Sequence, residues 1–508
     1  MDLTLTELAV VIPPSSSVYK MAVSAFFMGW VVIVDAQTVE ILAADQILRD
    51  PAITEAQRLI GHVSLGHKDA VLTCDSAWRF DDGSVEVFSH VVMQQPPATT
   101  MTADYLRIEP NEDWALANGD VELLHESAKL SAPSLMYLMN SRTARYTAGA
   151  NIVDEGWTVN SRHGQYRTAT ETLELGGQVV AVNEEDTLRS DSLHWMRAES
   201  RYRFFGLTDW VGSDVRFSCL SGDIVMDEEP LGWLAGQVKV DDGEGTVQGD
   251  SLAWGASSSE VWGHVVLAQS DGTGTVHGRY ALRQKEDSLE LVIGNVQQRA
   301  WLQQIDEGDT LRLAADTLQR KGEVLTAFHQ VTLAQDELVG VGDSLVWRNN
   351  QGTIQMWGEP RLWSSEDKLS GDTLTLWLTD QSPDKLEMRG HAVVLSSAND
   401  TLAHRIQGRE LDAFFEEGEL RFVDVVGNGE VVTFDAPEGE GNVRMNTAVC
   451  AKVTLEVAER KLTGIALKQS PRGKIQPVPT GTDLAPFRVE KAPGSGPWET
   501  SEQGPLPE

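Results

Sequence analysis

Five of the eleven histidines, His62, His90, His264, His329 and His391, recur in a repeated phrase, four of them just before a Val or Ala and His329 two residues before Val331. Imidazoles in a row could hold a metal, but a metal needs several donors converging on one point. No Cys/His set at ligand spacing accompanies them, and Cys74, Cys219 and Cys450 lie too far apart to form a Cys-x-x-Cys pair or a disulfide framework. The histidines therefore read as repeat features at strand starts, and the cysteines as small buried hydrophobes. Acid–base chemistry on a glycoside would need two carboxylates facing each other across about 5–10 Å. Asp81-Asp82, Glu184-Glu185 and Asp241-Asp242 are instead adjacent pairs in turn-like segments. No HExxH, Gly-x-Ser-x-Gly, phosphate-loop or calcium-roll phrase is present. The sequence names no catalytic residue, no metal ligand and no cofactor.

Aspartate is the residue whose spacing is informative. It recurs in a phrase of the form apolar, any, small, Asp, any, apolar, any, apolar, as in 188–195, 247–254 and 369–376. Thirteen slots can be placed, at Asp45, Asp75, Asp104, Pro133, Gln165, Asp191, Asp223, Asp250, Arg279, Asp316, Asp343, Asp372 and Arg409, and nine of them hold Asp. Their separation is roughly 29 residues, with excursions from 26 to 37, and a small residue precedes every slot. A second phrase, Gly-x-Val-x-apolar, alternates with the first, as in 61–65, 119–123, 236–240 and 263–267.

A fixed period of this size marks stacked supersecondary units, and the strict apolar/polar alternation inside each phrase marks strands with one buried face. Helix-period stretches are missing after the first 36 residues. In the Asp phrase the apolar positions fall three before the slot, then two and four after it, so the alternation skips phase at the Asp. A skip of one residue is a bulge or bend, eased by a small neighbour, and Asp suits a corner because it accepts hydrogen bonds from nearby amides. The expected fold is all-β, with bent antiparallel strands stacked around one interior that is apolar throughout. The residues expected to line it are Leu72, Met101, Leu106, Ile108, Leu130, Leu135, Tyr137, Leu188, Leu193, Trp195, Val247, Leu252, Trp254, Leu313, Leu318, Leu345, Trp347, Leu369, Leu374 and Leu376. Such a stripe is either a plain solenoid core or a groove that admits acyl chains.

Length and charge bound the function. At 508 residues the chain exceeds one compact core, and 76 acidic against 41 basic residues, a net charge of -35, excludes a nucleic-acid surface. Lys20, the apolar run 21–34 and the 34–36 Val-Asp-Ala triplet read as an export signal or N-terminal hydrophobic segment over residues 1–36, too short at 14 apolar residues for an ordinary membrane span of about 20. The repeat array is expected over 37–469, with weaker repeats after 410. Residues 470–508, rich in Pro and Gly, are expected to be a disordered tail.

The phrases 72–78 (Leu-Thr-Cys-Asp-Ser-Ala-Trp) and 119–123 (Gly-Asp-Val-Glu-Leu), alternating from about residue 38 to about 435, resemble OstA-like proteins of the LptA type. The resemblance implies an elongated OstA/LptA-like β-jellyroll of stacked V-shaped strands. It also implies a periplasmic bridge or scaffold whose apolar groove shields lipid A acyl chains of lipopolysaccharide between the inner and outer membranes and so serves outer-membrane assembly. Implied partners are lipopolysaccharide, the inner- and outer-membrane transport components reached by β-edge pairing, and further copies of the chain. The family has no catalytic residues to carry over. A structural or adhesive envelope solenoid without lipid, and a carbohydrate-active enzyme on a β-helix, are the competing readings.

Overall fold

A computed structural model of the chain describes residues 39–493, apart from interruptions at 50–55, 296, 307–308, 336–337, 365–366, 380–381, 400–401, 417–418, 436–442, 459–460 and 479–481. The expected export segment, 1–36, lies outside the described residues. Within them the chain forms one antiparallel sheet of 36 strands, with three single-turn 3-10 segments and no α-helix. Each strand, or each pair of short strands split at a corner, pairs with those before and after it in the chain, so the sheet grows in sequence order as a continuous stack.

Each strand bends once, near its middle. Between Ala56–His67 and Ala70–Phe80, for example, the pairing runs Ile60↔Ser76 and then Val63↔Cys74, so Gly61 and His62 together stand opposite Asp75. The same two-against-one bulge recurs at every crossing that remains continuous, and it delivers the phase skip expected from the sequence: Ala70, Leu72 and Cys74 are buried before the corner, Ala77 after it. We call the limb holding 63–67 and 70–74 the first limb, and that holding 56–60 and 76–80 the second. In eight cases the corner breaks a strand into two short pieces, one per limb, so the 36 strands make 28 V-shaped crossings.

The corner chemistry explains the Asp and Gly phrases together. The backbone N–H of Asp45 donates to the Gly61 carbonyl, and that of Asp372 to Gly390, both at 2.9 Å. The opposing glycines sit at positive φ, +83° for Gly206, and a β-carbon on Gly206 or Gly263 would collide with the carboxylate of Asp191 or Asp250. Where His follows, its Nδ1 meets the corner carboxylate: His62 to Asp45 at 2.8 Å, His90 to Asp75 at 2.7 Å, His264 to Asp250 at 3.1 Å and His391 to Asp372 at 3.0 Å. The small residue before the corner is buried, and its side chain often bonds two residues on: Ser190 Oγ donates to Ser192 O at 2.9 Å, Cys74 Sγ to Ser76 O at 3.3 Å and Cys450 Sγ to Lys452 O at 3.2 Å. All three cysteines are free, buried and in this one slot; burial pushes the thiols of Cys74 and Cys219 up to about 11.

Two of the expected slots are displaced by three residues. The corner taken as Gln165 lies at Arg162, and the one taken as Asp223 lies at Leu220, because the register shifts fall at 177–178 against 162 and at 206–207 against 220. Gly164-Gln165 and Gly222-Asp223 imitate the small–Asp phrase, whereas the corners are Ser161-Arg162 and Cys219-Leu220. Asp223 belongs to the second limb, buried and held by Arg201 at 2.6 Å and Arg203 at 2.7 Å. With these corrections the spacings from Pro133 to Asp250 become 29, 29, 29 and 30. One further corner, Ala451 after Cys450, continues the series beyond Arg409.

The region from 470 onward is also more ordered than its composition predicts. Arg472–Pro477 pairs with Arg444–Ala458 as the last strand. Residues 482–493 return across the outer face of the first limb, where Phe487 packs edge-on to Phe434, Trp363 Nε1 donates to Glu490 O at 2.9 Å and Lys368 meets the Glu490 carboxylate at 2.8 Å. Outward-facing Trp363 and Phe434 supply apolar surface whose cover by this segment a composition count cannot see. Residues 494–508 lie outside the described residues.

Candidate functional site

The interior of the V stack is lined by parallel rows of inward residues on each limb, read off directly from the strand pairing. On the first limb one row runs Leu188, Trp210, Phe217, Val240, Val247, Leu267, Val276, Leu302, Leu313, Leu333, Gly340, Leu362, Leu369, Val394, Ile406 and Val431, without a polar member. All twenty residues expected to line the interior face it. Seventeen are buried, while Val247, Trp254 and Trp347 remain partly exposed. Fully burying one such Leu or Val stabilises by about 1.5–3 kcal/mol, so the rows account for the cohesion of an otherwise strongly acidic chain.

Between 56 and 226 contacts that join the free ends of the limbs close the mouth of the V. Lys68, on the first limb's row of turns, reaches Asp113 and Asn140 on the second. Asp69 takes Arg142 and the Gln95 amide, both at 2.7 Å, and Tyr137 donates to Gln95 Oε1 at 2.7 Å. Burial opposes ionisation of Asp69, but the hydrogen bonds from Gln95 and Arg142 outweigh it and hold its carboxyl below the ordinary range. Further along, Arg197 on the second limb is clamped by Asp154 on the first, and also contacts Tyr166 and Ser127. Trp157 and Trp210 of the first limb stand edge-on to Trp195 and Tyr202 of the second, with ring centroids 6.0–6.5 Å apart. Sequence reasoning did not find this zip, because its members are spread over turns up to 73 residues apart.

From 231 to 293 no hydrogen bond or ion pair among the described residues joins the limbs, and the interior opens. On the first limb Val240, Val247, Leu267, Val276 and Leu302, on successive strands, are partly exposed, flanked on either side by buried Phe217 and Leu313. At about 4.8 Å per strand this window is about 19 Å wide. On the second limb the matching row reads Ile224, Gly232, Trp254, Ser259, Arg283, Glu290, Arg320, Leu325, Trp347 and Ile354. The expectation of an interior apolar throughout therefore fails at the zipped mouth, where Gln95, Thr99, His125 and Asp154 face inward, and again opposite the window, where three charged side chains stand side by side. The signal for the inward aim of Arg283 and Arg320 is their place four residues past the corners at Arg279 and Asp316, which their charge masks.

The other groups considered for chemistry serve the turns and corners. Asp82 accepts from the Ser84 N–H at 2.9 Å, and Asp242 from the Gly245 N–H at 2.9 Å. The five histidine–aspartate pairs line the exposed outer ridge of the corners, with Nδ1 of His329 3.6 Å from Asp343. Among the described residues no group of three or more His, Cys, Asp or Glu could hold a metal ion, and no helix is long and apolar enough to cross a membrane.

Residues 36–191 match the family described as OstA-like protein. No curated protein matches the chain. Among solved structures, the crystal structure of LptH, the LptA homologous periplasmic component of the conserved lipopolysaccharide transport device from Pseudomonas aeruginosa, is similar at 18% identity, covering 22% of this chain and 80% of that chain with a TM-score of 0.20. The likeness to the OstA-like proteins thus rests on residues 36–191, about a third of the chain.

Proposed function

We propose that the chain is a periplasmic scaffold of lipopolysaccharide transport, carrying lipid A acyl chains in the apolar interior of its V stack between the inner and outer membranes. The observation that supports this most is the unbroken apolar row of the first limb, together with its 240–302 opening. An apolar row left in contact with water across five successive strands costs free energy that a hydrocarbon ligand would recover, at about 25 cal/mol per Å² covered. The zipped and filled stretch 56–226 favours a second reading for that part alone, a structural stem without lipid. On this division the carrying section is the window and the strands after it.

The ends of the stack support edge pairing with transport components or with another copy. Glu40–Ala43 and Gln46–Arg49 form a short first edge that exposes Leu42, Ile47 and Leu48, and Arg472–Pro477 forms the last, exposing Ile475. A photo-reactive residue at Val247 or Leu267 is expected to crosslink to lipopolysaccharide in the periplasm, and one at Leu130 or Leu135 is not. Absence of any lipid adduct from the window positions would leave the structural solenoid as the function of the whole chain.

A further inference from the structure

The inward row of the second limb carries charge near the first edge, at Arg49 and Arg79, and again beside the window, where three charged side chains follow one another. Arg283, Glu290 and Arg320 occupy three successive strands at one register position, paired Arg283↔Glu290↔Arg320. The inward orientation of these three follows from their neighbours two residues away in the same strands, Ala281, Val292 and Leu318, which are all buried. The guanidinium groups approach Glu290 only to 3.8 and 3.9 Å, and Arg320 spends one further N–H on Gly322 O at 3.2 Å. Most of their donors are therefore free, and both side chains are more than half exposed. Two strands beyond Arg320 the indole N–H of Trp347 is buried and has no acceptor.

Opposite these donors lies the partly exposed apolar floor of Val247, Leu267 and Val276. A site with hydrocarbon on one wall and two arginines about 10 Å apart on the other matches one kind of molecule: an amphiphile with acyl chains and a phosphate-bearing head. Guanidinium favours phosphate because its planar fork can donate two parallel hydrogen bonds. In a chain of net charge -35, two inward arginines against one glutamate beside the window also set a local field opposite to that of the surface.

We propose that Arg283 and Arg320 bind the anionic head of an amphiphile whose chains enter the interior through the 240–302 window, with Glu290 holding the two arginines apart when the site is empty. This inference rests on the lipid-carrying reading and adds to it a fixed entry point and a charge preference.

The test uses the full chain and three probes: dihexanoyl phosphatidate, dihexanoyl phosphatidylcholine and inorganic phosphate, with binding followed by tryptophan fluorescence and calorimetry. Phosphatidate is expected to bind more tightly than phosphatidylcholine. Each loss in Arg283→Gln and Arg320→Gln should weaken phosphatidate about tenfold while leaving phosphatidylcholine unchanged. Glu290→Gln, which removes the competing carboxylate, should tighten phosphatidate. Far-UV circular dichroism confirms that the variants fold, which the exposure of these side chains favours. Equal affinity for both lipids in the native chain would overturn the charge preference and leave the lipid reading standing. Binding of neither lipid would overturn both. Inorganic phosphate binding at the same arginines as tightly as phosphatidate would replace the amphiphile by a free anion.

Discussion

Arg197→Met is the sharpest perturbation of the zip. The Asp154 carboxylate is fully enclosed, Arg197 is only 6% exposed, and the pair joins the free ends of opposite limbs just before the interior opens. Removing the guanidinium leaves Asp154 with the Ser127 hydroxyl at 2.8 Å as its remaining side-chain donor. An uncompensated buried charge of this kind costs about 3–5 kcal/mol, which corresponds to roughly a hundred- to several-thousand-fold rise in local opening. A repeat array need not unfold as one unit, so a global midpoint would blur the effect. Hydrogen exchange should be read instead on the backbone amides of Ala150–Asp154, Trp157–Ser161 and Thr187–Met196. Protection in these strands is expected to fall by that factor, while Thr99–Glu109 stays unchanged. The double variant with Asp154→Leu should recover most of the loss, because replacing both partners of a buried pair by apolar groups is close to neutral. A single variant that changes protection less than about fivefold, the ceiling for an exposed pair, or a double variant worse than the single, would refute the buried clamp.

Three other outcomes follow from the corners and the zip. Gly206→Ala should destabilise the array by about 1–2 kcal/mol from its left-handed backbone alone, with a further loss from collision with Asp191; Asp191→Ala should restore only the second part, measured by denaturant titration. His62 and His90 have pKa values raised above 6.5, chiefly by hydrogen bonds to Asp45 and Asp75, so their stabilising pairing is complete below 6.5 and is lost as pH rises through the raised values. Nuclear magnetic resonance titration should show this, and Asp45→Asn and Asp75→Asn should return the histidines toward 6.5. For Asp69 the sign is opposite: its folded pKa is depressed, so its contribution is present above about 3.9 and disappears as pH falls through the lower folded value. Exchange of the 63–74 amides should therefore accelerate in acid in the native chain, and Asp69→Asn should remove that dependence.

Much of this architecture is written in residue order. The phase skip beside a small residue at 188–195 correctly foretells both the corner at Asp191 and the inward aim of Leu188, Leu193 and Trp195, because alternation reports directly on which side of a pleat is buried. The reading slips at two corners without Asp, where a Gly-x pair stands two residues further on. Leu220 and Arg162 occupy corners through backbone geometry alone, and nearby Gly-x pairs then capture the pattern. The window is invisible to composition, since Val247 and Leu302 are no different in type from the buried Leu313 and Leu333. Before the window the mouth is closed by turns such as 68–69 and 139–142, whose partners reach across. Arg283 and Arg320 likewise look like ordinary solvated charges until pairing places them on the inner wall.

Backbone pairing joins each of the 28 crossings only to its neighbours, and among the described residues no contact closes the first onto the last. At about 4.8 Å each the stack measures about 130 Å along its axis before twist is considered. Length is therefore a free variable of this fold, as it is not in a globule. Removing one corner-to-corner unit, such as 163–191, would take out two crossings and shorten the protein by about 10 Å, leaving the alternation on both sides in register. The chain can be tuned as a ruler, in increments set by its own repeat, to whatever gap its two ends must meet.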